Sequence, residues 1–282
     1  MDGTGWRPLR GVDRSRLREA RLQAHHAMQW LARAARATIP ARPDDAHTNL
    51  GWDVRLDGFI THALRDGVRL GLKIADLALV VLGAGDTPAL HLDGQRDVAV
   101  RQWLGTQIAA LGFDPAGLDA PAPYTIPEHA VANGAAYAAG GFTDAFAELA
   151  AWFANADRAL DDVRAALAGR GFVASAVRCW PHHFDIATLA LLDASGVDHV
   201  RSVNAGLSPG DDWYDEPYFY VSPYPYPDAA RLPALPPLGH WHTRGFTAAI
   251  APASRIAATR DREAESVAFL RAATESAVTA LN

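Results

Sequence analysis

An apolar stripe at helical spacing runs through the middle of this 282-residue sequence. Its members recur every three or four residues, so they line one side of a helix predicted over residues 143–168. The stripe consists of Phe146, Leu149, Phe153, Ala156, Leu160, Val163 and Leu167. Runs with the alternation typical of strands precede and follow it. Because one-sided helices and sheets bury their apolar sides on each other, the pattern predicts an α+β fold of antiparallel β-sheets packed by long amphipathic helices.

Three further helices and three groups of strands are predicted around that stripe. The first helix starts after Asp13, whose carboxylate suits the N-cap position, and ends near Ala37. Another spans residues 95–111, and the last begins at Thr259 or Asp261. The strand runs occupy residues 50–92, 173–207 and 240–250.

A proline- and glycine-rich segment, residues 113–141, divides these elements into two groups. It holds four prolines and four glycines and has no sustained periodicity, so it is predicted to be a linker. An N-terminal α+β half, residues 1–112, would precede it, and a C-terminal α+β half, residues 142–282, would follow it. A single compact domain is the alternative.

The two halves share the order helix, strands, helix, which suggests an internal duplication. At an offset of 128 residues Trp52 aligns with Trp180 and Asp57 with Asp185, each pair at the start of the first strand. The hairpin turns expected next are Asp66-Gly67 in one half and Ser195-Gly196 in the other. Chance similarity between two α+β halves is the alternative.

Composition and charge exclude several classes of protein. The net charge of −6 argues against nucleic-acid binding and against binding to an anionic membrane, since both need a basic surface. A hydrophobic fraction of 49% rules out a disordered chain, and a single cysteine, Cys179, rules out a disulfide framework. No secretory signal is seen, and the longest apolar run, Ala75–Leu82, is too short to cross a bilayer. A cytoplasmic location is therefore expected.

The first candidate for chemistry is the motif Trp180–Asp185. If this segment is extended, His183 and Asp185 point to the same side of the strand. A carboxylate beside an imidazole can hold one tautomer for acid–base work, or the two can supply ligands to a metal. A solvent-exposed or hydrogen-bonded histidine is the alternative.

The second candidate is Gly239–His242, in which His240 and His242 share one side of an extended segment. Two imidazoles at that spacing can converge on a metal, but they need further ligands from elsewhere. Together with His183 and Asp185 they form the set of candidate ligands for a divalent metal cofactor.

The third candidate is the aromatic stretch Ser208–Pro227, which contains five of the seven tyrosines. Tyr218 and Tyr220 are predicted on one side of a strand, with Trp213 in the turn before it. Such side chains beside carboxylates suit a pocket that stacks on a sugar or ring and binds its hydroxyls. An edge strand with an ordered aromatic loop is the alternative.

Taken in order, these motifs resemble a bacterial family of uncharacterised proteins, a domain of unknown function, with the pattern W-P-x-H-F-D, S-P-G-D and E-P-Y-x-Y-V. The matching segments are Trp180–Asp185, Ser208–Asp211 and Glu216–Val221. No activity is known for this family, so the resemblance implies a common family but no particular reaction.

The resemblance ranks the candidate residues. Those that fall on the shared pattern become the candidate catalytic residues, and they are His183, Asp185, Asp211 and Glu216. By contrast, the pair His240 and His242 lies outside the pattern, which counts against a metal site built from both histidine pairs.

Three hypotheses about function stay open at this point. The protein is an enzyme acting on a small polar molecule, with His183 as acid–base or metal ligand, oriented by Asp185 and assisted by Asp211 and Glu216. Alternatively, it is a ligand-binding module without chemistry, whose pocket Trp213, Tyr218 and Tyr220 line. In the third hypothesis the motifs only hold the fold, because buried carboxylates must find donors to be tolerated. Asp185 and Asp211 would then cap turns, and Glu216 would bind backbone amides.

Overall fold

The structure is a computed structural model, and it describes residues 5–193 and 200–282, except for 84 and 86. The helices among these residues are α1 (Arg14–Thr38), α2 (Asp97–Ala110), α3 (Thr143–Gly169), α4 (Ala253–Ala257) and α5 (Arg262–Ala280). The strands in the first half are β1 (Gly51–Asp53), β2 (Gly58–Ile60), β3 (Arg69–Lys73), β4 (Ala78–Leu82) and β5 (Ala89–His91). The strands that follow are β6 (Val173–Ala174), β7 (Arg178–Trp180), β8 (Asp185–Leu191), β9 (Ser202–Ser208), β10 (Tyr218–Tyr224), β11 (His240–His242) and β12 (Ala248–Pro252).

These elements confirm the α+β prediction, since long helices accompany two antiparallel sheets. The N-cap prediction is also confirmed, because the Asp13 carboxylate accepts the backbone N–H groups of Ser15 and Arg16. The hairpin turn predicted at Ser195-Gly196 lies outside the described residues.

The chain divides into two compact units, and the division is not at one point of the sequence. The first unit contains Arg10–Ala151 and Cys179–Phe184, and the second contains Trp6–Leu9, Trp152–Arg178 and Asp185–Asn282. Residues 113–141, predicted as a linker, belong to the first unit, where they form three short 3-10 helices.

The first unit combines a five-stranded meander, in the order β1-β2-β3-β4-β5, with the long helix α1. The residues of α1 from Ala20 to Ala35 are nearly all buried, and several of them are polar. Their polar groups bind backbone that has no partner in a helix or strand: Gln23 accepts the N–H of Ala138, and His26 bonds to the carbonyl of Pro127. Buried loop backbone needs such partners to be tolerated.

Within the strand run predicted over residues 50–92, the prediction is wrong at residues 54–57. Residues 54–57 form a four-residue turn between β1 and β2, closed by a hydrogen bond from the Asp57 N–H to the Asp53 carbonyl, and Asp57 has φ of +58°. Residues 181–184 form the same kind of turn, with Phe184 at φ +59°. The two turns therefore coincide at an offset of 127 rather than 128 residues, and the duplication stays a hypothesis.

The second unit is built on a sheet with the strand order β11-β12-β10-β9-β8-β6, and β7 lies off this path. One side of the sheet is apolar. Phe219 on β10 packs edge-on against Trp152 of α3, and α5 lies against β10 and β9. Burying an aromatic ring of this size stabilises the fold by about 2–3 kcal/mol.

The opposite side of this sheet carries mainly polar residues and is called the polar sheet face below. Residues paired directly across antiparallel strands share a side, so the registers place its members together. They include Asp185 on β8, Asn204, Gly206 and Ser208 on β9, Tyr218 and Tyr220 on β10, and His240 and His242 on β11. Ala248 and Ile250 of β12 lie on the same side and form a small apolar cluster with Tyr218.

Within the described part of the chain, no helix is both long and apolar enough to cross a membrane.

Candidate functional site

The expected pairing of His183 with Asp185 on one side of a strand is wrong. Residues 181–184 form a turn, in which the N–H groups of His183 and Phe184 both bond to the carbonyl of Trp180. His183 is exposed and belongs to the first unit, whereas Asp185 begins β8 of the second unit. The ring of His183 lies 4.1 Å from that of His182.

Contacts from α1 account for this turn. His25 Nε2 and Gln29 Nε2 both donate to the carbonyl of Pro181, each at 2.8 Å, so the backbone is held away from an extended path. Phe184 is buried and stacks on the His25 ring at 5.1 Å. The partners are about 150 residues away in sequence, so the local alternation could not show them.

On the polar sheet face, Asp185 is joined to Tyr220. The Tyr220 hydroxyl donates to Asp185 Oδ2 in a short hydrogen bond, and Asn204 Nδ2 approaches the same hydroxyl at 3.4 Å. Burial, followed by the negative charge of Asp185, raises the pKa of Tyr220 well above its usual 10.0. The phenol therefore stays a hydrogen-bond donor throughout the physiological pH range.

Gly206 lets Tyr220 reach Asp185. The two residues are direct partners across β9 and β10, and the tyrosine ring lies over the glycine on its way to β8. A methyl group on Gly206 would stand 2.5 Å from Cζ and Oη of Tyr220.

We expect Gly206→Ala to lower the free energy of unfolding by about 1–3 kcal/mol, because the new methyl group overpacks the ring contact. Chemical denaturation measures the loss. Gly169→Ala is the matched control, since nothing lies within 4 Å of the methyl it would add. Equal stabilities of the two variants would contradict the position of the Tyr220 ring over Gly206.

Asp211 connects a turn to the sheet. Its Oδ2 accepts the Tyr218 hydroxyl at 2.6 Å, and its Oδ1 accepts the backbone N–H groups of Trp213 and Tyr214 at 2.8 and 2.9 Å. Burial and the charge of Asp211 raise the pKa of Tyr218. Asp211 thus positions two aromatic residues and keeps few lone pairs for a ligand.

Glu216 binds the start of helix α4. Its carboxylate accepts the backbone N–H of Ser254 at 2.7 Å and the Ser254 hydroxyl at 2.9 Å, in the first turn of α4. This is the structural use that the third hypothesis assigned to it, because first-turn amides have no partner inside a helix.

We expect Glu216→Ala to lower the free energy of unfolding by about 1 kcal/mol, as loss of a helix cap does, and to leave binding by the second unit unchanged. Denaturation and ligand titration of the same variant check both parts. A variant with native stability but lost binding would return Glu216 to the candidate site.

His240 and His242 converge on the hydroxyl of Tyr214. Tyr214 Oη lies 3.1 Å from His240 Nε2 and 3.0 Å from His242 Nδ1, and His242 Nε2 lies 2.7 Å from the carbonyl of Arg244. Sequence spacing predicted that the imidazoles would meet, and the partner at the meeting point is a phenol.

These contacts form a chain with a direction when the imidazoles are neutral. A carbonyl only accepts, so His242 Nε2 carries the proton, and its Nδ1 accepts the Tyr214 hydroxyl. Tyr214 then accepts from Nε2 of His240. The remaining nitrogen, His240 Nδ1, is buried and has no hydrogen-bond partner among the described residues. Burial and the charge of Arg255 lower the pKa of His240, which favours this neutral form.

The structure does not support a metal site formed by His183, Asp185, His240 and His242. His240 and His242 bond to the Tyr214 hydroxyl, and Asp185 Oδ2 accepts the Tyr220 hydroxyl. No group of three or more His, Cys, Asp or Glu side chains is arranged to hold a metal within the part of the chain that the structure describes.

Trp213 lies at the solvent-facing edge of this network, with 49% of its surface exposed. Its ring contacts those of His242 at 5.1 Å and Phe246 at 6.1 Å, and the Arg244 guanidinium lies 5.7 Å from it. Gly245 provides room beneath the ring, because a methyl group there would come within 3.1 Å of it. We call Trp213 with these four neighbours the Trp213 platform.

Of the residues predicted for the site, Asp185, Asp211, Tyr218 and Tyr220 lie on or beside the polar sheet face, with His240 and His242 along it. Tyr214, the hydroxyl that joins the two histidines, was not predicted as a site residue. Its position two residues before a Glu-Pro pair does not indicate a binding role. The one sequence feature that could have suggested it is its place in the tyrosine-rich stretch.

Comparison of the chain with protein-family models, with curated proteins and with solved structures finds no match. The resemblance to the bacterial family therefore stays a prediction, and function has to be inferred from the residues of the site itself.

Proposed function

We propose that the second unit binds a small neutral polyhydroxyl molecule, a sugar or a polyol, against the Trp213 platform. The observation that carries the proposal is the half-exposed indole ring of Trp213, fixed on its inner side by His242, Gly245 and Phe246. About half of the surface of this side chain, 49%, is open to solvent, and an indole ring matches the C–H face of a sugar ring.

Polar groups around the ring supply hydrogen bonds for the hydroxyls. Asp212 and Arg244 are both exposed beside Trp213, one an acceptor and the other a donor. Their opposite charges suit a neutral ligand better than an ion, because either kind of ion would meet a like charge. Asp211 and the Tyr214 chain hold the platform in place.

A thermal-shift screen of sugars and polyols tests the binding proposal. We expect at least one compound at millimolar concentration to raise the melting temperature of the native protein, as a ligand specific for the folded state must. Trp213→Ala should abolish that rise, because stacking on an exposed indole provides much of the affinity.

Tyr226→Ala is the matched control, since Tyr226 is another half-exposed aromatic, 52% exposed, outside the platform. It should keep the ligand-induced rise. A screen without any hit, or equal losses in the two variants, would contradict the proposal.

A further inference from the structure

A pocket in the second unit lies between α4, α5 and the segment that leads into β11. Its volume is about 540 Å³, within the range of sites that hold small molecules. Leu238 and the buried ring of Phe269 form an apolar floor, and Ala258, which follows α4, and Ala268 on α5 continue it. The Trp213 platform contributes no residue to its lining.

Side chains of both charges line this pocket. Arg255 and Arg260 supply two guanidinium groups, and Glu265 supplies a carboxylate. Arg255 Nη1 is committed to the wall, because it donates to the carbonyls of Pro237 and Gly239 at 3.4 and 3.2 Å. By contrast, neither Arg260 nor Glu265 has a side-chain hydrogen bond or ion pair with another residue in the described ranges.

The combination selects a class of ligand. A guanidinium binds a carboxylate with two parallel hydrogen bonds, and a carboxylate such as Glu265 binds an ammonium group. A simple anion would leave Glu265 unpaired, and a simple cation would be repelled by the two arginines. The apolar floor adds a place for a hydrocarbon side chain.

We propose that this pocket binds a free apolar α-amino acid. Its carboxylate pairs with Arg260, with Arg255 beside it, its ammonium group pairs with Glu265, and its side chain lies on Leu238 and Phe269. This site is separate from the one proposed for polyhydroxyl molecules.

Isothermal titration of the full chain with L-leucine and two blocked forms tests the assignment. L-leucinamide lacks the carboxylate, and N-acetyl-L-leucine lacks the ammonium group. We expect L-leucine to bind, and each blocked form to bind at least about tenfold more weakly, since each loses a charge-assisted contact. Absence of L-leucine binding, or equal binding of all three, overturns the proposal.

Two variants assign the contacts. Arg260→Gln should weaken L-leucine binding about tenfold and remove the preference over L-leucinamide, whereas Glu265→Gln should remove the preference over N-acetyl-L-leucine. Both side chains are exposed, so the variants are expected to fold, and a melting curve checks this. Unchanged preferences in both variants overturn the assignment.

Two further measurements distinguish this pocket from the Trp213 platform and from a plain anion site. Trp213→Ala should leave L-leucine binding unchanged, so that failure of the polyhydroxyl site and failure of this pocket are distinguishable. Inorganic phosphate should bind more weakly than L-leucine, because it leaves Glu265 and the apolar floor without a partner. Phosphate binding tighter than that of L-leucine would show a plain anion site and contradict the proposal.

Discussion

Replacing Tyr220 with phenylalanine is expected to lower the free energy of unfolding by about 2 kcal/mol. The change keeps the ring over Gly206 and removes the hydroxyl that donates to Asp185. A hydrogen bond to a charged group contributes about 1.5–3 kcal/mol, and its loss withdraws a donor from a partly buried carboxylate. Urea denaturation at neutral pH measures the difference.

Tyr224→Phe is the matched control for this prediction. Tyr224 ends the same strand, but 60% of its surface is exposed, so removal of its hydroxyl should change stability by less than about 0.5 kcal/mol. A double-mutant cycle with Asp185→Ala should give a coupling of at least about 1 kcal/mol between Tyr220 and Asp185. Strictly additive effects would show that the bond does not stabilise the fold.

The second large effect is expected on acidification, through His25. Burial lowers the pKa of this imidazole from 6.5 to about 4 in the folded protein, and its Nε2 donates to the carbonyl of Pro181. The neutral form is therefore favoured in the folded state. Its contribution to stability is complete above pH 6.5 and is lost as the pH falls toward 4, where the unfolded chain takes up the proton first.

The size of this loss follows from the same pair of values. Between pH 7 and pH 4 the folded state should lose about 3 kcal/mol through His25 alone. His25→Gln keeps a donor for Pro181 and cannot be protonated, so its free energy of unfolding should depend on pH by about 3 kcal/mol less than that of the native protein. Denaturation at a series of pH values measures both.

His91→Gln provides the control, because His91 is exposed on β5. It should follow the native pH dependence. If the free energy of unfolding of His25→Gln depends on pH as that of the native protein does, this would contradict the claim that His25 is buried and neutral beside the Pro181–Phe184 turn.

The sequence predicted those parts of the fold that depend on near neighbours. Asp13 caps α1 through amides two and three residues away, and the α3 stripe depends on spacings of three and four. The alternation of Tyr218 and Tyr220 with Phe219 and Val221 likewise placed the hydroxyls and the apolar groups on opposite sides of β10.

The predictions that were wrong concern residues whose contacts are distant in the sequence. The turn at Pro181–Phe184 is held by His25 and Gln29 from α1, and no pattern in the sequence around the turn indicates these two contacts. Glu216 binds Ser254, which lies 38 residues further along the chain. A carboxylate in a motif suggested a catalytic role, whereas in the structure this carboxylate caps a helix. The meeting of His240 and His242 was foreseen from their spacing, but the hydroxyl between them was not.

The proposed function depends on whether a ligand contacts Trp213. The most direct measurement is an NMR titration of the eight tryptophan indole N–H signals with the sugars and polyols of the screen. The Trp213 signal is assigned by its absence in Trp213→Phe. We predict that at least one compound shifts this signal saturably while tryptophans outside the platform, such as the buried Trp152, stay in place. A Trp213 signal that no compound moves would contradict the proposed binding site.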